Sequence, residues 1–298
     1  MRFGLFGTGP WARMVHSAAL ARHPGVELAG VWGRNPEKAA ELAGEHGTRA
    51  YADPDELIAA VDAVAIALPP DVQAPIAIRA ARAGRHLALD KPVSLRTEEA
   101  RELASAVADR DVASVVFFTR RFVPECATFL ADAVATGGWT EARVDHLGSI
   151  FTPDNPFGAS PWRRERGGLW DVGPHALSLV LPVLGPVVEV AGLTGARDLT
   201  ALVLRHEGGA ISRLTLSLDA PAATVRAGAE FAGEAGVRVL PEVEFSAVDC
   251  FTRAVDQLLA AAAGGERPAC DVAFGQRVTE VLEAADRAIR EGRAVRLG

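Results

Sequence analysis

Lysine is almost missing from this chain. Of its 31 basic side chains only Lys38 and Lys91 are lysine, and the other 29 are arginine. Cysteine is scarce as well. The three present, Cys126, Cys250 and Cys270, lie far apart and form no C-x-x-C pair, so no metal site is expected. They read as reduced thiols in a reducing cytoplasm, the expected location. No apolar run approaches the ~18 residues of a membrane span. The opening MRFGLFGTG lacks the roughly 7–15-residue apolar core of a signal peptide. The net charge of −7 is spread along the chain without a basic face or arm, which disfavours a nucleic-acid partner. Internal repeats, low-complexity linkers and long charge runs are absent too. What remains is a chain of 298 residues, 49% apolar, long enough for two domains with sizeable cores.

The first 118 residues alternate between short apolar runs and amphipathic stretches. RFGLFG, VELAGVW, AVAIAL, HLALD and ASVVFF read as strands. PWARMVHSAALARH, PEKAAELAGEHG, DVQAPIAIRAARAG and TEEARELASAVADR read as helices, several opened by proline and closed by glycine. Continuous apolar strands separated by helices imply a parallel sheet covered on both faces. After residue 119 the rhythm changes. A helix in RRFVPECATFLADAVATG and a strand in EARVDHLGSIFT are followed by a helix near 171–184. VVEVAGLTG, TALVLRHEG, AISRLTLSLD and TVRAGAEFAG then read as an antiparallel set, and helices near 246–263 and 271–290 close the chain. The expected fold is α/β and then α+β. A Rossmann domain over 1–118 precedes an open, mostly antiparallel sheet domain with helices over 119–298.

The first turn reads GTGPWA. Gly7 permits a tight turn, Gly9 lets backbone approach a pyrophosphate, and Ala12 allows close helix–strand packing, with Thr8, Pro10 and Trp11 between them. An ordinary glycine-rich βα turn carries similar strings. The five alternating strands around this one favour dinucleotide binding at the helix N-terminus. After the second strand the sequence has Gly33, Arg34 and Asn35 where NAD sites usually place a carboxylate. Arg34 can pair with a 2′-phosphate, so NADP is the expected cofactor, with NAD possible. A merely solvated arginine is the alternative. Leu68 and Pro69 after the third strand, and Asp90 with Lys91 after the fourth, complete the expected cofactor lining.

Lys91 ends a strand at the carboxyl edge, where open α/β sheets bind ligands. Its compact amine shifts pKa readily on burial, as arginine's guanidinium does not, and its bond to Pro92 is a candidate for cis. A plain surface lysine is the competing account, but a bland position in this chain would carry arginine. The other dense segment, SPWRRERGGLWDVGPH, places Asp171 four residues before His175. A histidine can carry a proton near neutral pH, and an aspartate can orient it. Taken alone, His175 reads equally as structural and Asp171 as a helix cap. Trp162 and Arg163 are expected either to reach substrate or to lie in a solvated loop.

These three segments together resemble the Gfo/Idh/MocA oxidoreductases, the relatives of glucose–fructose oxidoreductase and inositol dehydrogenase. GTGPWA is similar to that family's nucleotide turn, ALPPDVQAPIAIRAARAGRHLALDKP to its long signature, and WRRERGGLWDVGPH to its WR…GG…D-x-G-x-H segment. The chain departs from the pattern at Asp90 (usually Glu), Gln73 (usually His) and Ser178 (often Asp). The resemblance implies a Rossmann domain followed by an open sheet domain, with an active site between them in which Lys91, Asp171 and His175 form the catalytic group. It further implies a small-molecule substrate and a homodimer or homotetramer. The expected reaction is hydride transfer between NADP(H) and a secondary alcohol or ketone of a sugar, cyclitol or related polyol. A redox-assisted sugar lyase or glycosidase with tightly held cofactor, and a non-catalytic nucleotide sensor, are the alternatives.

Overall fold

The structure, a computed structural model, describes residues 1–298. The chain forms two compact units, neither of them contiguous. One comprises Met1–Phe122 with Phe245–Gln276, the other Val123–Glu244 with Arg277–Gly298. The change of rhythm at residue 119 falls close to the first crossing, whereas nothing in the sequence pattern signals the return of Phe245–Gln276 to the first unit.

The first unit is built on six parallel strands: β1 (Arg2–Phe6), β2 (Glu27–Trp32), β3 (Arg49–Tyr51), β4 (Ala63–Ile66), β5 (His86–Asp90) and β6 (Ser114–Phe117). They lie in the order β3-β2-β1-β4-β5-β6, so the sequence direction across the sheet reverses between β1 and β4. Every residue of β4 and β6 is buried, as continuous apolar strands covered on both faces must be. The helix after β1 begins at Pro10, runs as a π-helix over Ala12–Ser17, and continues as α1 (Ala18–Arg22). Next come α2 (Pro36–Glu45), α3 (Pro54–Ala60), α4 (Pro70–Arg82) and α5 (Thr97–Arg110). The strand β3 and the helix α3 add to the five-strand reading. Three residues and seven residues are too short for an apolar period to stand out. Far along the chain, α9 (Ala247–Ala262) packs on α1, on the π-helix and on β6. His23, after α1, meets Asp256 of α9 at 2.9 Å.

The second unit carries α6 (Pro124–Thr136), β7 (Trp139–Leu147), α7 (Pro161–Asp171), α8 (Gly173–Leu184), β8 (Val187–Thr194), β9 (Thr200–His206), β10 (Ile211–Ser217), β11 (Arg226–Gly233) and β12 (Gly236–Val239). The chain ends in α10 (Val272–Glu291), which starts in the first unit, and β13 (Val295–Arg296). Seven strands form one sheet in the order β12-β11-β7-β10-β9-β8-β13, antiparallel except at the β7–β10 pair. Strict alternation of burial along β9 shows one face packed and the other free. The apolar α8 lies across β7 and β10, with α6 beside it. The free face carries ion pairs, among them Arg213–Glu141 and Arg205–Glu189.

Candidate active site

In the first unit, the turn after β1 is shaped by close backbone approach. Gly7 adopts φ 133°, and a Cβ there would stand 2.4 Å from the Ala67 carbonyl oxygen. Its N–H donates to the Trp32 carbonyl at 2.8 Å, tying the turn to the end of β2. A Cβ on Gly33 would stand 2.6 Å from Thr8 Cγ2, so the turn closes tightly from that side too. Gly9 differs. Nothing lies within 4 Å of where its Cβ would be, and it is exposed just ahead of the helix N-terminus. A turn crowded on its inner side and clear at Gly9 fits a pyrophosphate laid against unpaired helix N–H groups. The buried methyl of Ala12 packs under Gly7, and Trp11 stacks on Phe117 with 6.3 Å between ring centres.

Beyond β2, Arg34 is exposed and takes part in no ion pair, which leaves its guanidinium available. Asn35 is occupied differently: its Oδ1 accepts from the Lys38 N–H at 3.0 Å and caps α2. Leu68 and Pro69 sit half-buried after β4, in the turn that leads into α4.

Lys91 follows β5 on the same carboxyl edge of the sheet and is half-buried. Its peptide bond to Pro92 is cis. The turn is clamped from α4 by Gln73, whose side chain is fully buried. The Gln73 amide donates to the Asp90 carbonyl at 2.7 Å and to the Pro92 carbonyl at 3.0 Å, and its Oε1 accepts from the Asp90 N–H at 3.1 Å. The Asp90 carboxylate accepts from the Lys91 N–H at 3.0 Å. Gln73 stood out in the sequence only as a departure from the family signature. Here it holds the backbone on both sides of Lys91.

In the second unit, Asp171 ends α7 and His175 stands in the first turn of α8. The helix α7 is broken at Gly167, at φ 63° and ψ −163°. This break lets Arg163, in the first turn, reach back to Asp171, Nε to Oδ2 at 3.1 Å, with both side chains largely buried. Arg163 also lies over the rings of Trp162 and Phe157. Trp162 is half-buried at the start of α7, in a helix and not in a loop. Ser178 donates to the His175 carbonyl at 2.7 Å.

Two residues escaped the sequence reading. Asp198, in the β8–β9 turn at φ 60°, accepts from the Gly168 N–H at 2.8 Å and from the Leu218 N–H at 3.0 Å. Burial pushes its carboxyl above the usual range despite those donors. A Cβ on Gly167 would stand 2.1 Å from Asp198 Oδ1, and one on Gly168 would stand 2.8 Å from Ser217 Cα, so both glycines of the segment are needed for this approach. The second is His146 on β7, whose ring centre lies 5.5 Å from that of His175. Its signal was a polar side chain on the buried side of an alternating strand. Asp198 had none.

The model of the oxidoreductase family with an NAD-binding Rossmann fold matches residues 1–118, and that of the GFO/IDH/MocA C-terminal domain matches residues 142–238. The chain belongs to the Gfo/Idh/MocA family. Among its relatives, UDP-N-acetylglucosamine 3-dehydrogenase of Acidithiobacillus ferrooxidans is 30% identical over 223 residues, 73% of this chain and 67% of that protein. Inositol 2-dehydrogenase of Rhizobium meliloti is 35% identical over 189 residues, 62% of this chain and 55% of that protein. The matched stretch spans between 52% and 67% of the first curated relatives' lengths. GenD2 from gentamicin A biosynthesis, solved in complex with NAD, superimposes with a TM-score of 0.88 at 24% identity, covering 100% of this chain and 96% of that one. This Gfo/Idh/MocA chain thus shares the fold along its whole length. No helix in it is long and apolar enough to cross a membrane.

Proposed function

We propose that this Gfo/Idh/MocA protein is an NADP(H)-preferring oxidoreductase. Its reaction moves a hydride between the nicotinamide ring and a secondary alcohol or ketone carbon of a sugar, cyclitol or related polyol. The observation that carries the reading is the placement of Lys91. A buried glutamine clamps it on the sheet edge that also bears the nucleotide turn. Relatives named for action on a sugar nucleotide and on inositol support the substrate class.

The turn from Gly7 to Ala12, with Gly33, Leu68, Pro69 and Asp90, would hold the dinucleotide, and Arg34 would pair with a 2′-phosphate. When bound, the dinucleotide would supply the hydride chemistry. Lys91 donates a hydrogen bond to the substrate oxygen and stabilises the charge that develops there during oxidation. His175 takes the hydroxyl proton, and Asp171, fixed by Arg163, orients substrate and base. The second unit supplies the substrate-binding surface and the contacts of a homodimer or homotetramer.

Lys91→Met tests the assignment. On a polyol substrate found by screening, turnover should fall about 100- to 1,000-fold with little loss of cofactor affinity. Lys91→Arg keeps the charge but loses the compact donor, and should fail similarly. Intact kcat in both variants would contradict the proposed role.

A further inference from the structure

His146 breaks the pattern of its strand. Along β7, Ala142 and Val144 are buried toward the helices, whereas Arg143 and Asp145 point to the free face, where Asp145 also meets Arg226. His146 shares the side of Ala142 and Val144. Its ring lies against that of His175, 5.5 Å between centres with planes inclined by 34°. Its register neighbours across the sheet, Leu216 and Ala227, carry no charge.

The elements of the second unit packed on α8 bring further titratable groups, besides the Lys91 ammonium proposed to share the substrate oxygen with His175. The helix α7 supplies Asp171, which is paired with Arg163, while its Arg164, Glu165 and Arg166 are exposed. The buried side of α6 carries Cys126, Leu130 and Ala133, with Glu125 and Asp132 exposed. β10 buries Ser212, Leu214 and Leu216, and Leu282 of α10 lies next to Gly173.

Two imidazoles this close do not take up protons independently, because charge on one disfavours charge on the other. We infer that His146 is a positioning residue for His175: the two rings titrate as a pair that holds at most one proton near neutral pH. His175 is thereby kept neutral and oriented to accept a substrate proton. The inference rests on the reading of His175 as the base. The coupling corresponds to about one pH unit, the size expected for unit charges ~5.5 Å apart in a partly solvated site.

The test follows the ring nitrogens of the substrate-free protein by proton–nitrogen correlation spectra through neutral pH. The coupling is shared between two rings of like affinity, so in His146→Gln, His175 should titrate about half a unit higher than in the unsubstituted protein. The acid limb of kcat/KM should move by the same amount, a change that a merely structural role would not produce. In His175→Gln, His146 should shift upward likewise. A folded His146→Gln protein whose His175 titrates unchanged would overturn the inference. Should that variant fail to fold, an unmoved His146 in His175→Gln overturns it equally. The spectra need no substrate, so this outcome is independent of Lys91→Met turnover. Coupled rings with intact Lys91→Met activity would uphold the pairing and contradict only the catalytic reading.

Discussion

The nucleotide turn and the Asp171–His175 segment are built in opposite ways. The turn is made of backbone. Gly7, Gly9 and Gly33 act through the side chains they lack, and what they approach (Ala67, Trp32, Thr8) is main chain or small. The segment is made of side chains brought from elsewhere in its unit: Arg163 onto Asp171, Asp198 onto Gly168, His146 onto His175. A site built of backbone fails through lost space. A site built of side chains fails through lost charge and orphaned donors.

The largest effect is expected at the backbone end. Gly7→Val forces a branched side chain into φ 133° and against the Ala67 carbonyl. Strain of that kind costs about 1–3 kcal/mol before the clash is counted, and calorimetry should find dinucleotide binding abolished. Gly9→Ala sharpens the contrast. With open space at that position, Tm should move by no more than about 2 °C, while cofactor affinity drops. Equal effects of the two substitutions would break the backbone account.

Asp198→Ala comes next. It leaves the buried N–H groups of Gly168 and Leu218 without their acceptor, at a cost of about 2–3 kcal/mol. Thermal unfolding should start roughly 4–12 °C lower. Turnover should fall while the dinucleotide Kd holds, since the change lies in the second unit. Asp198→Asn keeps an acceptor and sheds a charge that burial disfavours, and should be milder.

The smallest effect at neutral pH concerns His16, in the π-helix after the nucleotide turn. Its ring is fully buried against Phe251, and burial lowers its pKa to about 3. The unfolded chain therefore takes up a proton below pH 6.5 that the folded chain refuses. Stability from this group is complete above that pH and drains away as pH falls toward 3, at up to about 1.4 kcal/mol per pH unit. His16→Phe should match the unsubstituted protein in Tm at neutral pH and exceed it increasingly in acid. Parallel Tm curves would contradict this.

The same contrast explains what could be read from the sequence. The nucleotide turn was legible because its glycines, its strand and its helix are neighbours along the chain. The open antiparallel sheet was legible from the alternation of its strands. The three-residue β3 was too short to show a period. The π-helix carries no pattern that an α-helix would lack. Asp171 and His175 stood out as residue types, but their supports did not. Asp198 is 30 residues from Gly168, and His146 precedes His175 by a loop and a helix. Arg163, expected at substrate or in a loop, pairs with Asp171 only because Gly167 breaks the helix between them.

The most direct measurement is a calorimetric titration of nucleotide-free protein with NADPH and with NADH. The account predicts saturable binding with NADPH tighter, and a preference that disappears in Arg34→Ala. Absence of binding by either dinucleotide would contradict its central claim.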